Sequence, residues 1–390
     1  MTNPFGDKTI GYNSYPKTES CLHVEYHGSD SFLNFCVAVN LSLSLCTQPL
    51  KDCVAKFTNE NRTGGINLTR MDTTVAVCIV TYNQEAFIGQ CIESVLVQQT
   101  DFNIMMFISD DASSDSTYDI CRRYRDLHPG RINLTRNDHN LGLVANTMKV
   151  LQSIQASGCD YVALLDGDDY WIDPLKITKQ VSFLENNPKY GLVHTRIKGE
   201  KEEQNIIDGD VSGSILYYLE KHMRNCTVLF RSELLNLLDF QEISRRGFMV
   251  CDWIMYTIFS KSGTWFKYLN EETACWRTGH ESVSNQQSFE KAVAYQENGL
   301  LQWQYLFELF PEEFPDVLRK ASVYKHLKML DLAYRFNRFG IAHDLMGKVP
   351  EFQGFKKSIA VRLKEFAAKT KPTFMIMYAL LKIKKALKST

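Results

Sequence analysis

Long apolar runs are missing from this sequence of 390 residues. It contains no stretch of eighteen or more apolar residues without a charge, and its first twenty residues are polar. A membrane-spanning helix needs about 20 consecutive apolar residues, and a secretory signal peptide needs an apolar centre. The sequence therefore predicts neither of these segments, and we expect a cytoplasmic protein.

Paired cysteines are also missing. The eleven cysteines run from Cys21 to Cys275 without any CxxC pair. An odd number of cysteines argues against a disulfide framework, and the spacing argues against a structural zinc site. We interpret them as reduced thiols.

The net charge of −1 leaves no overall excess of either sign, but the charges are distributed unevenly. Residues 318–390 hold 17 Lys and Arg against 4 Asp and Glu. A basic tail on an acidic body indicates that the tail meets an anionic partner. That partner is a membrane surface, nucleic acid or the acidic body itself.

Strand and helix signals alternate between residues 75 and 200. Apolar, partly β-branched runs at 75–81, 104–108 and 161–165 predict buried parallel strands, and 131–134 predicts a shorter one. Residues at helical spacing separate these runs. The pattern is typical of a doubly wound α/β sheet, in which ligands bind beyond the carboxyl ends of the strands.

The chain is predicted to have three regions. Residues 71–285 form the α/β domain, and residues 286–390 form a helical C-terminal region whose apolar stripes we interpret as core. Residues 1–70 fit the α/β pattern poorly. They are either a dispensable extension, from an upstream start codon, or a small N-terminal β subdomain.

Polar clusters follow each predicted strand, and segments downstream carry further candidates. In chain order these segments are VCIVTYNQE, SDDASSDST, NLG-x-x-x-N, LLDGDDYW, CDW and WRTGH. In this order and spacing, across about residues 73–285, they resemble the family 2 glycosyltransferases of the GT-A fold. The resemblance implies a mixed GT-A sheet and inverting transfer of a sugar from a nucleotide-diphosphate donor, as in bacterial surface-polysaccharide synthesis.

Three acids, Asp166, Asp168 and Asp169, follow the fourth predicted strand. Clustered carboxylates repel one another unless a cation lies among them, and hard oxygen ligands select Mg²⁺ or Mn²⁺. By the resemblance this is the DxD motif, which holds the metal bound to the donor diphosphate. The alternative is a solvated acidic turn that caps the helix predicted to begin after Asp173.

Asp110 and Asp111 follow the second predicted strand. A carboxylate can accept a hydrogen bond from the N3–H of uracil or thymine, which we assign to Asp110, and Asp111 is placed to reach ribose hydroxyls. Both can also cap the next helix together with Ser113 or Ser114. The resemblance implies further nucleotide-binding residues: Thr81, Tyr82, Glu85, Asn140, Gly142, Asn146, Asp166 and Arg277. For Asn140, Gly142 and Asn146, turn and capping chemistry is an equal alternative.

Asp252 is the candidate catalytic base. Direct displacement at the sugar needs a group that takes the proton of the acceptor hydroxyl, and a carboxylate between apolar neighbours suits that task. Asp252 matches the second acid of the family's E/D-D-W motif, although Cys251 stands where an acid is often found. The alternative is that Asp252 caps a helix, and Trp253 is either a sugar-stacking face or a core residue. The resemblance also places His280 near the metal and diphosphate.

The sequence therefore predicts a metal-dependent, inverting glycosyltransferase that uses a UDP-sugar and a glycan or lipid-linked glycan acceptor. One rival is a sugar nucleotidyltransferase of similar fold, which would carry a Gly-rich loop with a basic residue after the first strand. The other rival is a protein that binds nucleotide sugars without turnover. We expect no nucleic-acid partner.

The last segment, residues 373–388, predicts a basic amphipathic helix. Apolar residues fall on one helical face, with Lys384, Lys385 and Lys388 on another, and the first half is apolar nearly all round. This pattern is typical of an interfacial helix that binds anionic lipid. It predicts peripheral attachment to the inner face of the cytoplasmic membrane, with packing on the protein body or dimerisation as the alternatives.

Overall fold

The computed structural model of the chain describes residues 73–200, 206–211, 223–278, 288–311, 327–345, 367–372 and 374–378. All of them lie within Cys53–Thr390, one of the two compact units of the chain. The predicted extension 1–70 lies outside the described residues. The predicted domain boundaries stay predictions.

Four parallel strands form one half of the sheet. They are β1 (Thr74–Thr81), β2 (Asn103–Asp110), β3 (Ile132–Arg136) and β4 (Tyr161–Asp166), arranged in the order β3-β2-β1-β4. They correspond to the four strands predicted from the sequence. β1 is buried almost throughout, as expected for a β-branched strand in the middle of a covered parallel sheet.

Four more strands extend the sheet beyond β4. They are β5 (Tyr170–Trp171), β6 (Tyr190–Ile197), β7 (Leu229–Arg231) and β8 (Trp265–Cys275), and the full order is β3-β2-β1-β4-β7-β6-β8-β5. β7 is antiparallel to both β4 and β6, whereas β6 and β8 are parallel. The sheet is therefore mixed.

Helices cover both faces of the sheet. They are α1 (Ile88–Leu96), α2 (Thr117–Leu127), α3 (Leu143–Ser157), α4 (Lys176–Asn186), α5 (Phe240–Arg245), α6 (Asp252–Lys261) and α7 (Phe289–Leu309). A further helix, α8 (Phe339–Asp344), belongs to the C-terminal region. Two short 3₁₀ turns, Asn225–Thr227 and Ser232–Leu237, flank β7. α4 is the helix that was predicted to begin directly after Asp173, at Pro174. In the structure it begins at Lys176. The Asp173 carboxylate accepts a hydrogen bond from the Leu175 amide in the turn before it.

The alternation of side chains along β1 divides the core between the two faces. Ala76, Cys78 and Val80 belong to a cluster that includes residues of α3, α5, α6 and α7. Their neighbours along the strand belong to a second cluster that includes residues of α1, α2 and α4. The predicted doubly wound α/β fold of GT-A type is therefore confirmed.

A third apolar cluster lies in the C-terminal region. Phe374 is fully buried and stacks on Tyr334, with ring centroids 4.5 Å apart and an interplanar angle of 18°. The residues that follow it, Met375 and Ile376, are exposed. The apolar first half of the predicted interfacial helix suits insertion among acyl chains, but the Phe374 ring in it packs against the protein instead, so the prediction is wrong for this residue. Residues 379–388 of the predicted interfacial helix lie outside the described residues.

Within the described ranges, no helix combines the length and the apolar character needed to cross a membrane.

Candidate active site

The carboxyl ends of the parallel strands meet at one edge of the sheet. Thr81, the last residue of β1, is in register with Asp110, the last residue of β2, and Asp110 is in register with Arg136 on β3. On the other side, Val80 is in register with Asp166 at the end of β4. The residues predicted to act together therefore lie side by side.

The turn after β1 is tied to the loop after β2. Asn83 has a positive φ of 51°, and its side-chain oxygen accepts a hydrogen bond of 2.8 Å from the Ser114 amide. The Glu85 carboxylate likewise accepts from the Ser116 amide at 2.8 Å. Tyr82 remains 46% exposed beside them. The structure thus gives Glu85 a loop-binding role and leaves the ring of Tyr82 accessible at the crevice.

Asp110 is fully buried, and its two carboxylate oxygens differ. Oδ2 accepts from the Ser113 amide at 3.1 Å and lies 3.3 Å from Nε of Arg136. Oδ1 is buried, and no hydrogen-bond donor within the described part of the chain reaches it. A buried acceptor left unpaired is costly, so this oxygen is suited to receive a donor from a ligand. The Asp110 side chain therefore combines a local capping contact through Oδ2 with a buried, unpaired acceptor at Oδ1.

Arg136 was not singled out from the sequence. Its guanidinium lies 4.6 Å from the centre of the Tyr118 ring and donates to the Ser113 carbonyl at 2.8 Å. These contacts fix the cation beside Asp110 and keep that carboxylate in place. The signal available in the sequence was its position shortly after the third predicted strand, 131–134, which the structure extends to Arg136.

Asp111 organises the loop that precedes α3. One of its oxygens accepts from the Asn137 amide group at 2.8 Å and from the Leu141 amide at 2.9 Å, and the other accepts from Gly142 at 2.9 Å. Gly142 has φ 85° and ψ 158°, a conformation open to glycine. A carboxylate has about four acceptor sites, so Asp111 keeps about one for a ligand.

Asn146 lies beneath this loop rather than at its surface. It is almost fully buried, and its side-chain oxygen accepts from Ser109 Oγ at 2.6 Å and from Asn137 at 2.9 Å. Asn140 accepts from the Gly142 amide at 3.0 Å, which is turn chemistry. In the structure both asparagines shape the crevice, and their contact with a nucleotide stays a prediction.

The three acids after β4 lie on a tight turn whose glycine is required. The Asp169 amide donates to the Asp166 carbonyl at 2.9 Å, which closes the turn. A Cβ atom at Gly167 would lie 2.5 Å from Oε1 of Gln84 and 3.0 Å from Oγ1 of Thr81. Thr81 and Gln84 are also hydrogen-bonded to each other. The turn after β1 therefore packs closely against the acidic turn at Gly167.

The carboxylates on this turn disfavour ionisation in one another. Desolvation by the surrounding protein, followed by the charges of Asp169, Asp168 and Asp252, raises the pKa of Asp166 well above its usual range. Burial and the charge of Asp168 raise the pKa of Asp169 to about 7. Repulsion of this kind is relieved when a cation lies among the carboxylates.

Arg277 anchors the acidic turn from the end of β8. Its amide donates to Oδ1 of Asp169 at 2.9 Å, and its guanidinium donates to the Asp168 carbonyl and to Oε1 of Gln90. The guanidinium also lies 4.5 Å from the centre of the Tyr170 ring. The structure thus places Arg277 at the acidic turn, and its contact with a diphosphate stays a prediction. His280 lies outside the described residues.

Asp252 is the first residue of α6 and faces the same acids. Its charge contributes to the raised pKa of Asp166, so the two side chains lie within electrostatic reach. Its Oδ1 accepts from the Trp253 amide at 2.8 Å. The N-cap position of α6 is Cys251, however, so Asp252 lies inside the helix and not at the capping position that the alternative gave it. Trp253 packs against Trp303 with ring centroids 4.7 Å apart, which favours its interpretation as a core residue.

Two further residues at the acids were missed by the sequence analysis. The Asn225 side chain hydrogen-bonds to Asp166, and the Cys226 thiol hydrogen-bonds to Asp169. Both belong to the 3₁₀ turn that enters β7. The surrounding segment has no periodic pattern, and only the antiparallel pairing of β7 with β4 brings this turn to the acids.

The donor set at this edge is suited to a hard divalent cation. Among the residues described by the structure, no group of three or more His, Cys, Asp or Glu side chains is arranged to hold a metal ion. Mg²⁺, however, is usually held by one or two carboxylates together with phosphate oxygens and water. The crowded carboxylates of Asp166 and Asp168 fit that requirement.

Comparison with known proteins finds a family whose sequence model matches part of the chain. Residues 76–243 match the sequence model of glycosyl transferase family 2. This segment of the chain is therefore similar to glycosyl transferase family 2 domains. The match runs from within β1 to within α5, and it contains the carboxyl ends of β1 to β4. Asp252 and Arg277 lie beyond it.

Similar proteins are found in several organisms. The dTDP-rhamnosyl transferase RfbG of Shigella flexneri is 24% identical over 213 residues, which cover 52% of this chain and 72% of that protein. The Escherichia coli protein WfaP, a UDP-Glc:alpha-D-GlcNAc-diphosphoundecaprenol beta-1,3-glucosyltransferase, is 35% identical over 111 residues, covering 28% and 41%. A solved structure of the Pyrobaculum calidifontis mannosyltransferase PcManGT, with GDP-Man and Mn²⁺, aligns with a TM-score of 0.48 and 15% identity, covering 84% and 92%.

The similarity to curated relatives covers only part of this chain and part of each relative. The chain spans about a third, 32%, of the length of uncharacterized mycobacterial proteins that it matches at 36% identity. The activity and substrates of the whole chain are therefore proposals.

The first prediction concerns the unpaired oxygen of Asp110. In Asp110→Asn, the oxygen must stay on the side of Ser113 and Arg136, so the new amide nitrogen replaces the Oδ1 acceptor. We expect the affinity for uridine diphosphate to fall about 10- to 100-fold, the range for losing a hydrogen bond to a charged group. Titration calorimetry measures this affinity.

The matched control is Asp119→Asn, on the exposed surface of α2, where the carboxylate only pairs with Arg122. It should bind uridine diphosphate like the unmodified protein. Equal affinities of the Asp110 and Asp119 variants for uridine diphosphate would contradict the assignment of Asp110 to the nucleobase.

Proposed function

We propose that this protein transfers a sugar from a nucleotide-diphosphate sugar to a hydroxyl of a glycan or lipid-linked glycan, with inversion at the anomeric carbon. One observation carries the proposal. Asp166, at the end of β4, and Asp252, at the start of α6, lie close enough for each charge to act on the other. A candidate donor-binding acid and a candidate base are therefore neighbours.

The donor is a uridine or thymidine diphosphate sugar. Both bases present one imide N–H, which matches the single unpaired acceptor of Asp110. The names of the relatives WfaP and RfbG, which specify UDP-glucose and a dTDP-rhamnosyl transferase, support this choice. The exposed ring of Tyr82, beside Thr81, offers a face for a planar base.

Asp166 and Asp168 would hold Mg²⁺ or Mn²⁺, with Asp169 adjoining and His280 as a further candidate ligand. Such an ion supplies positive charge that stabilises the departing diphosphate. Arg277 adds a fixed positive charge at the same turn, since its guanidinium is held by Gln90 and by the Asp168 carbonyl. The residues of the protein at this turn position the diphosphate and limit its movement.

Asp252 takes the proton of the acceptor hydroxyl. The residue before it, Cys251, is buried, and burial raises the pKa of its thiol well above the usual range, so this neighbour stays neutral. Asp252 is thus the acid that α6 directs to the site. Attack from the side opposite the leaving diphosphate gives the inverted product.

The acceptor is confined to a membrane surface in this proposal. The name of WfaP specifies a diphosphoundecaprenol-linked acceptor, which supports a lipid-linked glycan for this chain as well. The basic C-terminal segment suits attraction to anionic lipid, worth about 1 kcal/mol for each Lys or Arg near the surface. Ile376, which is 62% exposed, lies on the apolar face predicted to enter the membrane interface.

The second prediction tests the base. With a donor found by screening UDP- and dTDP-sugars for released diphosphate, Asp252→Asn should lower kcat about 10²- to 10⁴-fold, because the amide cannot accept the proton. Donor affinity should change little.

The control variant is Asp239→Asn, since Asp239 caps α5 through the Glu242 amide and Asn can do the same. It should keep full activity. Unfolding of the Asp252 variant would favour a structural role, and a kcat within a factor of ten of the unmodified enzyme would reject Asp252 as the base.

The third prediction tests the cation. EDTA should abolish diphosphate release, and excess Mn²⁺ or Mg²⁺ should restore it. Asp168→Asn should lose most of this activity while keeping its melting temperature, because the turn is partly exposed and the substitution is isosteric. Full turnover in EDTA would remove the metal from the proposal.

The fourth prediction tests membrane binding. The full-length protein should float with vesicles that contain anionic lipid, less so at high salt because charge attraction is screened. Ile376→Asp should bind these vesicles much less. The control Leu301→Asp changes another exposed apolar residue, on α7, and should bind normally. If Ile376→Asp and Leu301→Asp float equally, the C-terminal segment has no part in attachment.

A further inference from the structure

The turn Asn225–Thr227 approaches the acids because of strand direction. β7 runs antiparallel to β4, with Tyr161 opposite Arg231 and Ala163 opposite Leu229. The start of β7 therefore lies beside the end of β4, and the same register extended toward that end reaches the turn. The side chains of this turn hydrogen-bond to Asp166 and Asp169, as described above.

A buried tyrosine links this turn to the helix of the candidate base. Tyr256 is almost fully buried on α6, and its hydroxyl donates to Oδ1 of Asn225 at 2.8 Å. Because this oxygen accepts from Tyr256, the amide nitrogen of Asn225 is the group that donates to Asp166. Each polar end of the Asn225 side chain thus has one partner.

Tyr256 and Asp252 lie one helical turn apart. Residues at positions i and i+4 of a helix project from the same face, so both side chains point toward the β4 edge. In accord with this, the charges of Asp252 and Asp166 both contribute to the raised pKa of Tyr256, after burial. One rigid helix therefore carries the base and the hydroxyl that holds Asn225.

We propose that Asn225 and Tyr256 are positioning residues that fix the carboxylate of Asp166 relative to Asp252. This inference rests on the proposed function, and it deepens that function by naming what sets the spacing between donor and base. The Asn225 amide holds one oxygen of Asp166 and leaves the other for the donor complex. The Tyr256 hydroxyl prevents the Asn225 side chain from turning away.

Rotation of the Asp166 carboxylate would lower the rate of sugar transfer. A misplacement of about 1 Å can cost about 10²-fold in rate, because the attacking and departing groups must stay in line. Asp166 approaches the donor from the sheet, whereas Asp252 approaches from α6. The contact through Asn225 and Tyr256 joins these two elements directly.

The first experiment removes one oxygen atom. Tyr256→Phe should lower kcat about five- to tenfold, the factor for one buried hydrogen bond, with KM for the acceptor unchanged. The matched control is Tyr268→Phe, because Tyr268 is also buried and its hydroxyl also donates to an asparagine, Asn270, at 3.2 Å. The control should stay within twofold of the unmodified kcat.

The second experiment is a double-mutant cycle. If Tyr256 acts through Asn225, the variant Asn225→Ala with Tyr256→Phe should be no slower than Asn225→Ala alone. Independent, additive losses would overturn the inference, as would equal kcat values for Tyr256→Phe and Tyr268→Phe. If Tyr256→Phe fails to fold, Asn225→Ala at its half-buried turn carries the test, and unchanged kcat there would overturn the inference.

A third readout does not depend on turnover. Calorimetry with Mn²⁺ and uridine diphosphate should give weaker binding for both Asn225→Ala and Tyr256→Phe, by about fivefold, and unchanged binding for Tyr268→Phe. Binding equal in all four proteins would overturn the inference while leaving the proposed function intact. An unmodified protein that neither binds this pair nor releases diphosphate from any nucleotide sugar would overturn both.

Discussion

The repulsion among carboxylates at one sheet edge is the constraint on which the rest of this site depends. Asp166, Asp168 and Asp169 follow one strand, and Asp252 lies within electrostatic reach of Asp166. Such a group is stable only if the protein supplies donors and positive charge. Asn225 supplies a hydrogen-bond donor to Asp166, and Arg277 supplies positive charge at the acidic turn. The proposed cation would supply more.

The mixed order of the sheet follows from the same constraint. A parallel strand next to β4 would begin at the opposite edge and would bring no residue to the acids at its start. The antiparallel β7 instead begins where β4 ends, so the turn before it can contact Asp166 and Asp169. The side of the crevice that is proposed to bind the nucleotide needs no antiparallel strand, because the parallel strands β1 to β3 end together there.

The sequence predicted the parts of the fold that repeat a local pattern. Buried β-branched runs marked β1 and β4, and polar residues at strand ends marked Asp110 and the acidic turn. It did not predict Asn225 or Arg136, because their roles come from contacts between strands distant in the chain. Nor did it predict the burial of Phe374, since an apolar helix residue looks the same whether it meets protein or lipid.

The same repulsion gives a physical reason for the departure at Cys251. An acid at this position would place a second negative charge beside Asp252 and close to Asp166. The buried thiol stays neutral instead, because burial and the charge of Asp252 both raise its pKa. With one acid at the start of α6, the helix can carry Asp252 and Tyr256 toward the acidic turn at a smaller electrostatic cost. A neutral residue at position 251 therefore adds no further charge to a site in which the carboxylates of Asp166, Asp168, Asp169 and Asp252 already act on one another.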